Sequence, residues 1–196
     1  MTLADLVQEV YNITGRPDRV AETLSAIKAA TLKAHQSDFY WKDLFEAGLD
    51  LGVEAFVQNF DYRSVVPRWR ALKYLRKFDT TTGVPGTELD VIVPEQVFDA
   101  YKVQKQDVCY SAGAYIQINS STAQRYYILG CYINPDITDS GFSSWIAVDH
   151  PYAIVYDAAA TVFKAIGKDE ETSAYRTLVA EQIAMLKMSN VEGVGY

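Results

Sequence analysis

Several kinds of segment are missing from this sequence. No stretch of the 196 residues approaches the roughly 20 apolar residues that a membrane-spanning helix needs. The opening residues, Met1 to Asp5, combine neither a basic start nor a continuous apolar run, so we expect no secretory signal peptide. There are only two cysteines, Cys109 and Cys131. In a chain without a secretion signal they are expected to be buried thiols rather than a disulfide.

Motifs that carry chemistry are missing as well. The chain has no G-x-S-x-G nucleophile elbow, no Walker-type glycine loop and no G-x-G-x-x-G motif. Neither of its two histidines has a recognised metal-ligand spacing. We therefore predict no catalytic residue, no metal and no cofactor. The alternative is a small hydrolase that uses His35 with Asp38, or His150 with Asp149.

Positive charge is scarce, because 18 Lys and Arg face 25 Asp and Glu, for a net charge of −7. Such a surface argues against non-specific nucleic-acid binding. One basic cluster stands out, interleaved with Trp69, Tyr74 and Phe78. Arginine and aromatic residues together are typical of protein interfaces, although a solvated face explains the pattern equally well. We predict that the cluster binds an acidic neighbour, including a second copy of the chain, through Arg68, Arg70, Lys73, Arg76 and Lys77.

What the sequence does have is a pair of helical hairpins. Thr2 can cap a first helix that ends at Gly15, and a second helix begins at Asp18 after a short connection. Pro151 suits the first position of a third helix, which Gly167 ends, and Asp169 can cap the fourth. The tail 189–196 is too short to fold alone. Either it frays, or it docks in a partner's groove through Val191, Val194 and Tyr196.

Between the hairpins the sequence is β-rich. Residues 66–78 favour a strand over a helix, and 108–133 predicts three short strands with reversals at 111–113 and 119–123. A sugar- or partner-binding module is the alternative for this region, although sheet packing explains most of its tyrosines. The tyrosines are Tyr110, Tyr115, Tyr126, Tyr127 and Tyr132.

The predicted fold class is α+β and mainly α, with two helical hairpins forming a four-helix core and a β-rich insertion lobe. We predict one domain, 1–196. Its helical body covers 1–60 and 145–188, its β-rich insertion runs from about 61 to 144, and its flexible tail is 189–196.

The layout resembles one family. The segments "LVQEVYNITGRPD" and "SWIAVDHPYAIVYDAAATVFKAIGKDEETSAYRTLVAEQIAMLKM" resemble the head-to-tail adaptor, or connector, proteins of short-tailed and related tailed bacteriophages. The resemblance covers the organisation of nearly the whole chain. At the level of motifs it covers about 145–190 and the opening helix.

The resemblance implies a structural protein of the virion. Its members form a ring, typically of twelve subunits, that docks under the portal protein, contacts the downstream tail or nozzle protein and extends the DNA channel. DNA passes without specific binding, and no membrane is involved. The tail 189–196 would reach the portal. Between copies, the basic cluster would face Asp169 to Glu171 or Glu88 to Asp90 of the neighbour.

Overall fold

The structure is a computed structural model, which describes the backbone of residues 1–193 and the side chains of residues 1–190. It is 43% helical and 34% strand. The prediction of a mainly helical chain built on a four-helix core is therefore wrong. The described helices are α1 (Leu3–Thr14), α2 (Val20–Gln36), α3 (Tyr62–Val65), α4 (Trp145–Asp149), α5 (Pro151–Ala165) and α6 (Asp169–Gly193). The strands are β1 (Leu44–Asp61), β2 (Trp69–Asp79), β3 (Val84–Val91), β4 (Val108–Ala112) and β5 (Tyr115–Ile133).

The chain divides into two compact units. The helical unit consists of Met1–Asp43 and the described residues from Asn134 onward, and the β unit is Leu44–Ile133. The expected boundaries at about 60 and 144 thus differ from those observed, at 43/44 and 133/134.

Local signals in the sequence define the first helix. Thr2 and Asp5 form a capping box: the Thr2 amide donates to Asp5 Oδ2 (2.9 Å), and the Asp5 amide donates to Thr2 Oγ1 (3.2 Å). Gly15 ends the helix in the left-handed conformation, with φ 64°. This cap geometry confirms the predicted start and end of α1.

Helix α5 lies at the centre of the helical unit. It buries Ile154 and Val155 completely, and its alanines at 158–160 let neighbouring helices approach closely. Leu6 of α1, Ile27 of α2 and Leu186 of α6 belong to the same hydrophobic core. Each large aliphatic side chain buried there contributes about 1.5–3 kcal/mol of transfer free energy.

Helix α6 is longer than expected, because it continues to Gly193. The flexible tail predicted from Ser189 is wrong for residues 189–193. Asn190 anchors this last part: its side-chain oxygen accepts from the Trp41 amide (3.1 Å), and its side-chain amide donates to the Phe39 carbonyl (3.3 Å). Both contacts join residues far apart in sequence, so helical periodicity alone gave no sign of them.

In the β unit, β5, β2, β3 and β4 pair in that order, and β4 pairs back with β5. These four strands close into a barrel, and β1 adds a fifth strand on β5. The barrel has its own hydrophobic core, which includes Leu75, Leu89, Ile116, Ile118 and Leu129.

Strand β5 runs without interruption from Tyr115 to Ile133, so the predicted reversal at 119–123 is wrong. Instead the strand bulges there: Asn119 pairs with Val57, and the next paired residue, Gln124, faces Ala55. The part before the bulge pairs with β4, and the part after it pairs with β2. Turn-forming residues at 120–123 therefore bend a strand that non-local pairing keeps extended.

Strand β1 occupies residues that we assigned to the helical body. Its pairing with β5 extends from Leu44 opposite Tyr132 to Asp61 opposite Tyr115. This cross-strand ladder joins residues far apart in the sequence, and it makes 44–61 a strand.

Candidate functional site

A buried polar network joins three parts of the helical unit. The His35 ring, at the end of α2, contacts Asp43 Oδ1 through Nδ1 (2.8 Å) and Ser144 Oγ through Nε2 (2.8 Å). The Trp145 indole donates to the same Asp43 oxygen (2.7 Å). His35, Asp43 and Ser144 are 1%, 4% and 8% exposed. The carboxylate bonded to the imidazole is thus that of Asp43, five residues beyond the Asp38 of the hydrolase alternative.

The order Asp–His–Ser is that of a nucleophilic triad. An aspartate on Nδ1 favours the tautomer in which Nε2 accepts the serine proton. Here, however, Ser144 caps α4, since its Oγ also accepts the Ala147 amide (3.2 Å). Its hydroxyl has both a donor and an acceptor partner within the fold. That arrangement is typical of a structural network, in which hydrogen bonds within the fold occupy the buried hydroxyl.

Ser144 also borders an open groove of about 590 Å³ in the helical unit. The residues that line it come from the first turn of α1 and from the segment leading into α4, among them Thr2, Asp139, Phe142 and Val148. Ser144 and Trp145 are therefore the members of the network that border this groove.

The second histidine lies in a different cleft of the helical unit. His150 joins α4 to α5, and its amide donates to the Ile146 carbonyl (2.8 Å). Asp149 beside it binds Lys42, with Nζ 2.6 Å from Oδ2. The cleft also contains Trp41 and Asn190 and has a volume of about 530 Å³. Asp149 therefore forms an ion pair with Lys42, whereas the hydrolase alternative places it as the partner of His150.

The five residues of the basic cluster differ in exposure and in whether they form an ion pair within the β unit. Arg76 binds Glu88 of β3 (3.0 Å), and Lys77 binds Asp107 (2.6 Å). Those two cations are neutralised inside the β unit, and so is Glu88, which we had considered as a partner on a neighbouring copy. Of the others, Arg68 and Lys73 are exposed and form no ion pair with residues 1–190. Arg70 is half-buried.

The acidic partner that we expected at the start of α6 is also engaged locally. Glu171 binds Lys168 (3.2 Å), and its own backbone amide together with this contact lowers the pKa of its carboxyl. Both groups are well exposed, so the pair contributes little to stability.

Two clusters of large apolar side chains are exposed on the β unit, which sequence reasoning did not identify. The first lies on β1 and consists of Val53 (64% exposed), Phe56 (56%) and Val57 (61%). The second lies on the loop between β3 and β4 and consists of Phe98 (60%), Tyr101 (87%) and Val103 (61%). In a strand, successive side chains point to opposite faces, so the apolar residues of 53–57 lie on both faces of β1. This pattern was the signal available in the sequence for their exposure.

The predicted portal anchors lie at the end of the chain. Val191 is within the helical backbone of α6, but its side chain is not among those described. Val194 and Tyr196 lie outside the described residues. The prediction that these three residues bind a partner therefore stays a prediction.

Within 1–190, no group of three or more His, Cys, Asp or Glu side chains is arranged to hold a metal ion. Among the helices described, none combines the length and the apolar composition needed to cross a bilayer. The tyrosines of the sugar-binding alternative differ in environment: Tyr127 is 1% exposed and Tyr115 is 49% exposed. Tyr127 is therefore not accessible for stacking, whereas Tyr115 is.

Comparison with known proteins places the chain in no family, since no protein-family model and no curated protein sequence matches it.

Proposed function

We propose that this protein is a structural component of a tailed-bacteriophage virion, a ring-forming adaptor between the portal and the tail. In this role it works through shape and surface, with copies of itself, the portal protein and a downstream tail protein as its partners. DNA passes through the ring without being read. The resemblance of the helical hairpins to adaptor proteins supports the proposal, and the β unit adds an observation of its own.

That observation is the presence of two separate apolar clusters, Val53–Phe56–Val57 and Phe98–Tyr101–Val103, on one unit. Several large apolar side chains exposed within one short segment are candidates for a site of association. A ring needs two different surfaces per subunit, because each copy contacts one neighbour with one face and the next neighbour with another. Two separate clusters on one unit provide apolar surface for such association.

The charge of the chain is compatible with the same role. A net charge of −7 keeps the surface as a whole from holding DNA phosphates. The exposed cations Arg68 and Lys73 then provide a local positive site for an acidic copy of the same chain.

The test is to mix the purified protein with portal-containing phage heads that lack tails, and to image the particles. Rings at the portal vertex are expected. Phe56→Ser and Tyr101→Ser should each reduce the fraction of particles that carry a ring. Val20→Ser is the matched control, because it removes a comparably exposed apolar side chain (52%) from the helical unit. Absence of rings with the unaltered protein at every salt concentration would overturn the proposal.

A hydrolase is the second candidate, and the Asp43–His35–Ser144 geometry is the observation that favours it. The burial of all three residues and the capping role of Ser144 favour the adaptor. A fluorophosphonate probe, which reacts with activated serines, separates the two functions. Labelling that disappears in Ser144→Ala and persists in Ser143→Ala would establish an active nucleophile. No labelling of the unaltered protein leaves Ser144 as a structural residue.

A further inference from the structure

The strands on either side of β5 leave two backbone edges open. In the second half of β5, Gly130 pairs with Glu46 of β1 on one side and with Tyr74 of β2 on the other. Among the described strands, β1 pairs only with β5. The ladder between β2 and β3 begins at Leu75, so residues 69–74 of β2 likewise pair only with β5, with register irregularities between Trp69 and Ala71 and between Leu72 and Tyr74. This three-stranded segment therefore has an unpaired edge on each side.

An open edge of this length needs either a partner strand or features that prevent strand addition. An edge strand presents a row of N–H and C=O groups on which another chain can add a strand. Proteins usually block such edges with prolines, inward-pointing charges or short strands. Strand β1 is 18 residues long, contains no proline and exposes Leu44 and Phe45 near its start. It has the features of an edge that is covered in the working assembly.

The two edges carry opposite charges. The first half of β1 has two acidic residues, Glu46 and Asp50, and no basic one. Asp50 is bound in the chain by Arg125, at 2.6 and 2.8 Å, whereas Glu46 accepts a hydrogen bond from the Tyr74 hydroxyl and forms no ion pair with residues 1–190. On the β2 side, Arg68 and Lys73 are exposed and form no ion pair with residues 1–190. An acidic edge and a basic edge on the same chain are complementary between copies.

The strand directions determine what kind of assembly these edges can make. Strands β1 and β2 both run antiparallel to β5, so they run parallel to each other. When one copy follows another in a ring, β1 of the first meets β2 of the second in parallel orientation. A two-fold dimer would instead join β1 to β1 in antiparallel orientation, and would place Glu46 and Asp50 near their own symmetry copies. Like charges across such a contact are unfavourable, which favours the ring.

We propose that neighbouring copies join by strand addition, with β1 residues 44–50 of one copy pairing in parallel with β2 residues 69–74 of the next. Glu46 on one strand and Lys73 on the other give the contact its polarity. The proposal rests on the proposed ring and specifies its subunit interface. The result is a β-sheet that continues from copy to copy, with backbone hydrogen bonds supplying affinity and side-chain charges supplying direction.

A charge exchange tests the interface. Glu46→Lys and Lys73→Glu should each weaken assembly on portal-containing heads at low salt by about fivefold or more, because each places like charges across the contact. Combining both substitutions in one chain should restore assembly. Circular dichroism of each variant checks folding, and recovery in the double variant excludes a folding defect as the cause of the losses.

A disulfide trap tests the same contact directly. The native Cys109 and Cys131 are both fully buried, so introduced thiols react selectively. In Glu46→Cys/Lys73→Cys, mild oxidation of assembled particles should yield a ladder of covalent multimers. Glu46→Cys/Thr81→Cys is the matched control, with its second thiol in the turn after β2, and should yield none.

The possible failures are distinguishable. Rings that form normally in both single charge variants and give no ladder would overturn strand addition and leave the adaptor function standing. Covalent dimers from Glu46→Cys alone would replace the proposed contact with a two-fold β1–β1 contact. Absence of rings with the unaltered protein would overturn the adaptor function and the interface together.

Discussion

The ring of Tyr74 lies directly over Gly130: a Cβ added at position 130 would be 2.3 Å from the Tyr74 Cζ atom. The tyrosine thereby crosses the middle strand of the segment, from β2 on one side to Glu46 of β1 on the other. Glycine is the residue that leaves room for this crossing. It lets a side chain from β2 hydrogen-bond to a side chain of β1 although the two strands are not adjacent.

We therefore expect Gly130→Ala to destabilise the β unit. Tyr74 has to move, and it loses its place beside Glu46, so the cost should be about 1–3 kcal/mol, as for other overpacked sites. Urea unfolding measures it. Gly48→Ala is the matched control: it lies on neighbouring β1, and its added Cβ would meet no atom within 4 Å. Equal stability of the two variants would contradict the interpretation.

We expect the buried His35 network to contribute to the free energy of unfolding, and we expect the exposed Ser143 beside it to contribute little. Asp43→Ala removes the contacts to His35 Nδ1 and to the Trp145 indole, and Ser144→Ala removes the contact to Nε2 and the cap of α4. Each substitution leaves buried polar groups unsatisfied, so we expect losses of about 1–3 kcal/mol in the free energy of unfolding. Thermal or urea unfolding provides the measurement.

Ser143→Ala is the control for that pair, since Ser143 is exposed and adjacent to Ser144. It should change stability by less than about 0.5 kcal/mol. A loss at Ser143 as large as at Ser144 would mean that the segment, and not the network, determines the effect.

Asp107 should make the stability of the β unit depend on pH. Burial alone raises the pKa of its carboxyl, but hydrogen bonds from Lys77 and Ser121 outweigh burial and hold the pKa at about 2. In the unfolded chain an aspartate has a pKa of about 3.9. Because the folded value is the lower one, the contribution of Asp107 is fully present above about pH 4 and is lost as the pH falls from about 4 to 2.

Asp107→Asn isolates this contribution. The residue has φ 55°, a left-handed conformation that asparagine tolerates well, so the backbone should be unaffected. The unaltered protein should be more stable than the variant at pH 7, and the difference should shrink progressively below pH 4. Urea titrations at several pH values between 7 and 2.5 measure it. A difference that stays constant over that range would show that the Asp107 charge has no part in it.

The parts of the fold that depend on neighbouring residues were predictable from the sequence. Thr2, Asp5 and Gly15 define α1 by contacts within four residues, and Pro151 correctly indicated the start of α5. The strand at 69–79 was also correct in type, as was the burial of both cysteines as thiols. In each case short-range signals or composition were sufficient.

The parts that depend on distant partners were not predictable. His35 and Ser144 are separated by 109 positions along the chain, and nothing local to either residue indicates the other. Strand β1 became a strand through its pairing with β5, some 80 residues away, which no window of sequence around Gly48 contains. The same holds for β5, whose turn-like residues at 120–123 bulge within a strand that its neighbours hold on both sides.

The β unit begins at Leu44 and ends at Ile133, and Leu44 faces Tyr132 across the first rung of its ladder. Paired strand residues have Cα atoms about 5 Å apart, so the β unit begins and ends at points that lie close together. A short turn could span that gap. The barrel is therefore an insertion between two closely spaced points of the chain, an arrangement that is typical of inserted units.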